Sequence, residues 1–126
     1  MLPEGKGSVL VVDDEESVRT LVVETLAGTG YELRQAADGQ EALERIAARR
    51  PDAIVLDLMM PNLDGFGVLE RLQGDPDTRR IPVIILTARK LTTLERASLQ
   101  RGAVSLLGKN DYSGDELRAL VERALG

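Results

Sequence analysis

The spacing of apolar residues along the chain changes repeatedly between two patterns. Short runs rich in β-branched residues predict strands at 9–12, 31–36, 53–56, 83–86 and 104–107. Apolar residues that recur every three or four positions predict a helix after each strand. The five helical stripes are Val18, Leu21, Val22, Thr25 and Leu26; Ala42, Leu43, Ile46 and Ala47; Phe66, Leu69 and Leu72; Leu91, Leu94 and Ser98; and Leu117, Leu120, Val121 and Leu125. This alternation predicts an α/β fold with a mostly parallel sheet and helices on both faces, because each parallel crossover needs its own helix.

The composition of the strands predicts where they lie in the sheet, and turn residues predict where the helices end. The runs 53–56 and 83–86 are wholly apolar and belong in the middle of the sheet, whereas 31–36 alternates between apolar and charged residues and belongs at an edge. Ser113 and Glu116 are spaced as a capping box that begins the last helix. The residues predicted to close the first four helices are Gly28 or Gly30, Pro51, Gly74 and Gly102.

Composition narrows the possible chemistry. A chain of 126 residues is one domain in size, and we divide it into a leader or linker remnant at 1–7 and a domain at 8–126. The absence of Cys and His excludes disulfides, thiol catalysis, histidine metal sites and serine–histidine triads. A net charge of −5 argues against direct nucleic-acid binding. No apolar run approaches the roughly 20 residues needed to span a bilayer, so we expect a cytoplasmic protein without membrane insertion.

Polar residues follow four of the predicted strands. Asp13 and Asp14 follow the first strand, Asp57 the third, Thr87 the fourth and Lys109 the fifth. In open α/β sheets, ligands bind outside the carboxyl ends of the strands, where the strand order reverses. Each residue alone is commonly a helix cap, a turn residue or a solvated charge. Their coincidence at four strand ends predicts a functional site.

The residue types at these strand ends indicate phosphoryl transfer. Three neighbouring carboxylates need a counter-charge, since their mutual repulsion otherwise raises their pKa values. Oxygen ligands without His or Cys favour a hard divalent cation, and few carboxylates with room for water favour Mg²⁺ over Ca²⁺. With Lys109 and the hydroxyl of Thr87, such a cation would form a positive, hydrogen-bonding site for a tetrahedral dianion. An aspartate nucleophile beside Mg²⁺ and a lysine is typical of chemistry through an aspartyl phosphate.

Four motifs in the chain resemble the receiver domain of bacterial two-component response regulators. They are Val-Leu-Val-Val-Asp-Asp-Glu at 9–15, Asp-Leu-Met-Met-Pro at 57–61 with Asp-Gly at 64–65, Pro-Val-Ile-Ile-Leu-Thr-Ala at 82–88, and the late Lys109. The resemblance covers essentially the whole chain and assigns 8–126 to the receiver domain. It implies a doubly wound (βα)5 fold, a flavodoxin-like three-layer sandwich with parallel strands in the order 2-1-3-4-5.

The resemblance also implies a role for each candidate residue. The implied roles are Asp57 as phospho-acceptor, Asp14 as direct Mg²⁺ ligand, Asp13 as ligand largely through metal-bound water, Met59 as ligand through its carbonyl, Thr87 as contact of the phosphoryl oxygens, and Lys109 as ion-pair partner of the acceptor and then of the phosphoryl group. The chain has no histidine, so the donor would be a histidine kinase or a histidine phosphotransfer protein. The chain would then be no conventional enzyme. It would act alone, as a phosphorelay intermediate, or within a hybrid kinase or multidomain regulator.

The chain departs from the family pattern on either side of Lys109, and it has uncommon residues two positions after Asp57 and two positions after Thr87. Leu106 stands where receivers usually carry an aromatic residue or His, and Asn110 stands where they usually have a cis-proline, so we predict a trans Lys109–Asn110 bond. Met59 and Arg89 occupy positions where polar residues orient the hydrolytic water in the family. The thioether of Met59 is a weak hydrogen-bond acceptor and the guanidinium of Arg89 has no acceptor atom, so neither can orient that water. We therefore predict a long-lived acyl phosphate.

Two alternatives from other classes stay open at this point. An aspartate-nucleophile phosphatase normally has a second acid two residues after the nucleophile, where this chain has Met59. A pseudo-receiver would bind partners without being phosphorylated. Turnover of a phosphomonoester identifies the first, and Mg²⁺-dependent labelling of Asp57 excludes the second.

Overall fold

Strands and helices alternate strictly along the chain. The computed structural model describes residues 7–100 and 105–126, which form five strands and five helices. The strands are β1 (Ser8–Val12), β2 (Glu32–Ala36), β3 (Ala53–Leu56), β4 (Val83–Thr87) and β5 (Ser105–Gly108). The helices are α1 (Glu16–Leu26), α2 (Gly39–Ala48), α3 (Gly65–Gln73), α4 (Thr93–Leu99) and α5 (Gly114–Leu125). The predicted elements are all present, with bounds that shift by a few residues.

The five described strands form one parallel sheet in the order β2-β1-β3-β4-β5, as predicted. The last residue of β1, Val12, pairs with Ala36 on one side and Leu56 on the other. The carboxyl ends of these three strands are therefore level. From β1 the chain goes to β2 on one side of it and then to β3 on the other side. The strand order therefore reverses between β1 and β3, and this is where a doubly wound parallel sheet has its binding crevice.

The central strands are buried on both faces. Leu10 and Val12 point to the layer formed by α2, α3 and α4, while Val9 and Val11 point to the layer formed by α1 and α5. All residues of β1, β3 and β4 are buried, whereas β2 is only partly buried, as expected for an edge strand. No helix among the described residues is both long and apolar enough to cross a membrane.

The predicted helix ends are largely confirmed. Gly28 and Gly30, which follow α1, have φ angles of 82° and 92°, a region that favours glycine. Ser113 and Glu116 form the predicted capping box, with reciprocal bonds of 3.1 and 2.9 Å. The predicted Gly102 end of the fourth helix, the first residue of the predicted fifth strand and nearly all of the predicted leader lie outside the described residues.

The prediction for the fourth helix was wrong in register. A second capping box, between Thr92 and Glu95, begins α4 at Thr93, so Leu91 precedes the helix. Leu94 is 83% exposed, and the buried residue of α4 is Leu99. The physical reason is that the cap sets where the first turn starts, and this turn directs Leu94 away from the sheet.

Candidate functional site

Main-chain hydrogen bonds extend the sheet beyond the strand ends and place the candidate residues. The amide of Asp13 donates to the last carbonyl of β2 (3.2 Å), and that of Asp57 donates to the last carbonyl of β1 (3.0 Å). The amide of Lys109 donates to the carbonyl of Thr87 (2.9 Å). The three charged residues are thus held at the carboxyl edge of the sheet by its own ladder.

The three predicted acids converge. One carboxylate oxygen from each of Asp13, Asp14 and Asp57 lies within 4.8 Å of the others. Asp13 and Asp57 are each 2% exposed, and Asp14 faces solvent. Within the described part of the chain, neither oxygen of Asp57 accepts a hydrogen bond of good geometry, although one of them lies within ion-pair distance of Lys109. A buried and incompletely satisfied carboxylate beside two further acids, with oxygen as the only type of ligand atom, fits a hard divalent cation.

Lys109 supplies the nearest positive charge. Its Nζ lies 2.7 Å from Asp13 Oδ2, 3.2 Å from Asp57 Oδ2 and 3.6 Å from an oxygen of Glu15. Burial by itself would lower the pKa of Lys109, but Asp13 and Asp57 outweigh burial and raise the pKa above its ordinary value. The ammonium is therefore charged at neutral pH and shared between two buried carboxylates.

One ammonium does not compensate both carboxylates. Burial raises the pKa of Asp57, against the nearby amide of Met59 and the charge of Lys109, which lower it. Burial also raises the pKa of Asp13, against its bond from Lys109 and the amide of Glu15, and the charge of Asp57 raises it further. The folded protein therefore holds this pair of charges at a free-energy cost that a cation would relieve.

Thr87 lies at the same edge and connects it to α4. Thr87 is 4% exposed, and its Oγ1 accepts a hydrogen bond of 3.2 Å from the amide of Arg89. The guanidinium of Arg89 lies 5.6 Å from the centre of the Phe66 ring and pairs with Glu95 at 2.5 Å. The side chain of Arg89 is thus anchored to α3 and α4.

The start of α3 packs tightly against the backbone that follows β3. A Cβ at Gly65 would lie 2.3 Å from the carbonyl oxygen of Asp57 and 2.7 Å from Cα of Leu58. The amide of Gly65 donates to Leu58 (3.2 Å), and Asp64 caps the helix through the amide of Gly67 (2.9 Å). The Asp-Gly pair of the sequence motif therefore serves a close backbone approach behind the acidic cluster.

The peptide bond between Lys109 and Asn110 is trans, as predicted, and so is every other peptide bond in residues 7–100 and 105–126. Leu106 pairs with Ile85 in the sheet and packs, half-buried, against the layer of α2, α3 and α4. An aliphatic side chain therefore lies at the position where receivers usually have an aromatic residue or His.

Two residues near the site were not predicted from the sequence. Glu15 contributes a third carboxylate near Lys109, which its place directly after Asp14 could have indicated. Arg19 donates from Nη1 to the carbonyl of Asp13 (2.7 Å) and from Nε to Oε1 of Gln35 (3.1 Å). Nothing in the local pattern distinguishes Arg19 from a solvated arginine.

A doubly wound parallel sheet with three acids and a lysine at its carboxyl edge places the chain among the doubly wound α/β proteins, and comparison with known proteins identifies its family. The family described as the response regulator receiver domain matches residues 9–122, so the chain belongs to that family. It is 44% identical over 119 residues to the response regulator MprA of Mycobacterium tuberculosis, an alignment that covers 91% of this chain and 50% of MprA. The chain spans about half the length of the curated relatives it matches.

Solved structures agree with this assignment. The receiver domain of the Francisella response regulator 1452 is 34% identical with a TM-score of 0.84, covering 94% of this chain and 96% of that one. The signal receiver domain of a signal transduction histidine kinase from Syntrophus aciditrophicus is 32% identical with a TM-score of 0.84, covering 94% and 89%. The chain is therefore a receiver domain of the two-component type, as the sequence motifs predicted.

Proposed function

We propose that Asp57 accepts a phosphoryl group in a Mg²⁺-dependent reaction and that the donor is a phosphohistidine on a partner. The observation that carries this proposal is the carboxylate of Asp57, which is buried beside two further acids and shares the ammonium of Lys109 with Asp13. One ammonium leaves this group of acids incompletely neutralised. Such a carboxylate is costly to bury and is typical of a functional site.

The acidic cluster would hold the cation, with carboxylate oxygens from the exposed Asp14 and from Asp57. As the family resemblance implies, Asp13 would act largely through metal-bound water and the carbonyl of Met59 would complete the protein ligands. When bound, Mg²⁺ would supply positive charge that neutralises phosphoryl oxygens.

The remaining groups act on the phosphoryl group. Oδ of Asp57 forms a bond to phosphorus as the bond from phosphorus to the imidazole nitrogen breaks, and the nitrogen keeps that electron pair. Lys109, already 3.2 Å from Asp57, then pairs with the phosphoryl oxygens. The hydroxyl of Thr87 donates to another of these oxygens, and its own oxygen can at the same time accept from the amide of Arg89.

The family and the relatives support the choice of partner and the wider protein. Because this chain contains no His, a phosphohistidine donor would lie on another protein or domain, and a histidine kinase or histidine phosphotransfer protein is the donor that the family resemblance implies. MprA is about twice as long as the matched segment, and the Syntrophus receiver belongs to a histidine kinase. Both precedents support a role within, or beside, a larger regulator. On this proposal the domain catalyses its own phosphorylation and dephosphorylation and is not a conventional enzyme.

Intact-mass measurement after incubation with Mg²⁺ and acetyl phosphate tests the proposal. We expect a mass increase of one phosphoryl group in the wild type, none in Asp57→Asn, and none when EDTA replaces Mg²⁺. Asp77→Asn is the matched control, because Asp77 is an exposed aspartate in the loop before β4, at the opposite end of the sheet, and it should label like the wild type.

The other outcomes identify the alternative functions. An unlabelled wild type would reject the phospho-acceptor and favour a pure interaction module. Equal labelling of Asp57→Asn would place the acceptor elsewhere. Steady turnover of a generic phosphomonoester would identify a phosphatase.

A further inference from the structure

Arg19 joins three elements at the edge of the acidic cluster. It lies one turn into α1, and its half-buried guanidinium donates to the main-chain carbonyl of Asp13 (2.7 Å) and to the side chain of Gln35 on β2 (3.1 Å). The two bonds leave from different nitrogens of the guanidinium, which therefore fixes the end of β1 relative to α1 and β2. A lysine ammonium at this position could still donate to the carbonyl of Asp13.

The carbonyl that Arg19 binds belongs to the peptide between Asp13 and Asp14. The direction of that peptide plane sets where the side chain of Asp14 leaves the main chain. On the other side of the turn, the amide of Glu15 donates to Oδ1 of Asp13 (2.9 Å). Glu15 provides no side-chain cap for α1 among the residues that the structure describes. Arg19 is thus a main external support of a turn that carries two of the three clustered acids.

We propose that Arg19 is a positioning residue for the divalent cation, which it serves by orienting the Asp13–Asp14 peptide. It touches neither the cation nor the phosphoryl group. The inference rests on the proposed Mg²⁺ site and adds to it a residue outside the four sequence motifs described above. Groups that orient metal ligands typically change metal affinity by about 10–100-fold when they are removed.

The sign of the effect separates this role from a plain electrostatic one. Arg19 is a positive charge near a cation site, so its removal by Coulomb's law alone strengthens Mg²⁺ binding. Loss of a positioning bond weakens Mg²⁺ binding, because the two acids are then no longer held in place before the cation arrives.

The test is calorimetric titration of Mg²⁺, without phosphodonor, into wild type, Arg19→Met, Arg19→Lys and Arg34→Met. Arg34 is the matched control, since it lies in β2 and donates to two main-chain carbonyls, those of Arg49 (2.8 Å) and Arg45 (2.9 Å), at the end of α2. Thermal unfolding of each variant in EDTA is measured in parallel.

We expect Arg19→Met to bind Mg²⁺ about tenfold more weakly, Arg19→Lys to recover part or all of the affinity, and Arg34→Met to stay within about twofold of wild type. Unchanged or tighter binding by Arg19→Met overturns the inference. So does an equal loss in Arg34→Met, which would mark a general effect of stability, or an Arg19→Lys variant no better than Arg19→Met. A wild type that binds no Mg²⁺ refutes the proposed function itself, and the inference with it.

Discussion

Replacing Asp57 with Asn should stabilise the protein in the absence of Mg²⁺ while abolishing phosphorylation. Asp57 is buried, and the nearest cation, Lys109, lies closer to Asp13 (2.7 Å) than to Asp57 (3.2 Å), so one ammonium is shared between two buried carboxylates. An incompletely satisfied buried polar group costs about 1–3 kcal/mol, and a charged group costs more than a neutral one. Asn keeps the shape and removes the charge, so the free energy of unfolding should rise by about 1–2 kcal/mol. For a domain of this size, that raises Tm by about 4–8 °C.

The gain should depend on pH with a definite sign. Burial raises the pKa of Asp57 above its ordinary value of 3.8, so the folded state holds the proton more tightly than the unfolded chain. The wild type therefore loses stability as pH rises from about 4 through the raised pKa, whereas Asp57→Asn does not. The difference between the two proteins should be small near pH 4 and reach its full size at neutral pH.

Denaturant unfolding followed by circular dichroism measures this difference in EDTA and in Mg²⁺. A ligand at a hundredfold excess over its Kd stabilises the folded state by about 2.7 kcal/mol, so Mg²⁺ should narrow or reverse the gap by favouring the wild type. Asp14→Asn is the control, because Asp14 is the exposed acid and should change stability in EDTA by less than about 0.5 kcal/mol. An Asp57→Asn variant that is no more stable than wild type at neutral pH in EDTA, or equally stabilised at both pH values, refutes the reasoning.

Three further predictions concern the acyl phosphate and its readout. The wild-type acyl phosphate should last minutes or longer. Met59→Asn combined with Arg89→Glu should shorten its lifetime in a phosphate-release assay, because both new side chains can accept a hydrogen bond from the hydrolytic water. An unchanged lifetime in the double variant contradicts this prediction. Gly65→Ala should lower the free energy of unfolding by about 1–3 kcal/mol and reduce labelling, since its Cβ would lie 2.3 Å from a backbone oxygen; wild-type stability would show that α3 can shift freely. Beryllofluoride should move NMR signals around Thr87 far more than those of Leu106, which has no ring or polar group to exchange between two states; the reverse distribution would rule out readout through the loop after β4.

The strand-end chemistry was predictable because it depends on local pattern and on a general property of parallel sheets. Apolar runs and helical stripes predicted the ten elements that the structure describes, and the prediction that 31–36 is an edge strand is confirmed by the partial burial of β2. Since the carboxyl ends of parallel strands share one edge, Asp13, Asp57 and Lys109 could be placed together before any distance was known. The strand order, by contrast, came from the resemblance to a family, since local periodicity carries no information about which strands are neighbours.

The class of fold, the identity of the clustered acids and the trans peptide after Lys109 could therefore be predicted from the residues alone. The atomic contacts could not be predicted in this way: Lys109 lies nearer to Asp13 than to Asp57, Arg19 binds the carbonyl of Asp13, and Leu94 faces away from the sheet. The physical reason is that periodicity encodes which face of an element is apolar, a property of neighbouring residues. The contacts of a long polar side chain depend on how separate elements pack, and Arg19 finds Gln35 sixteen residues away along the chain.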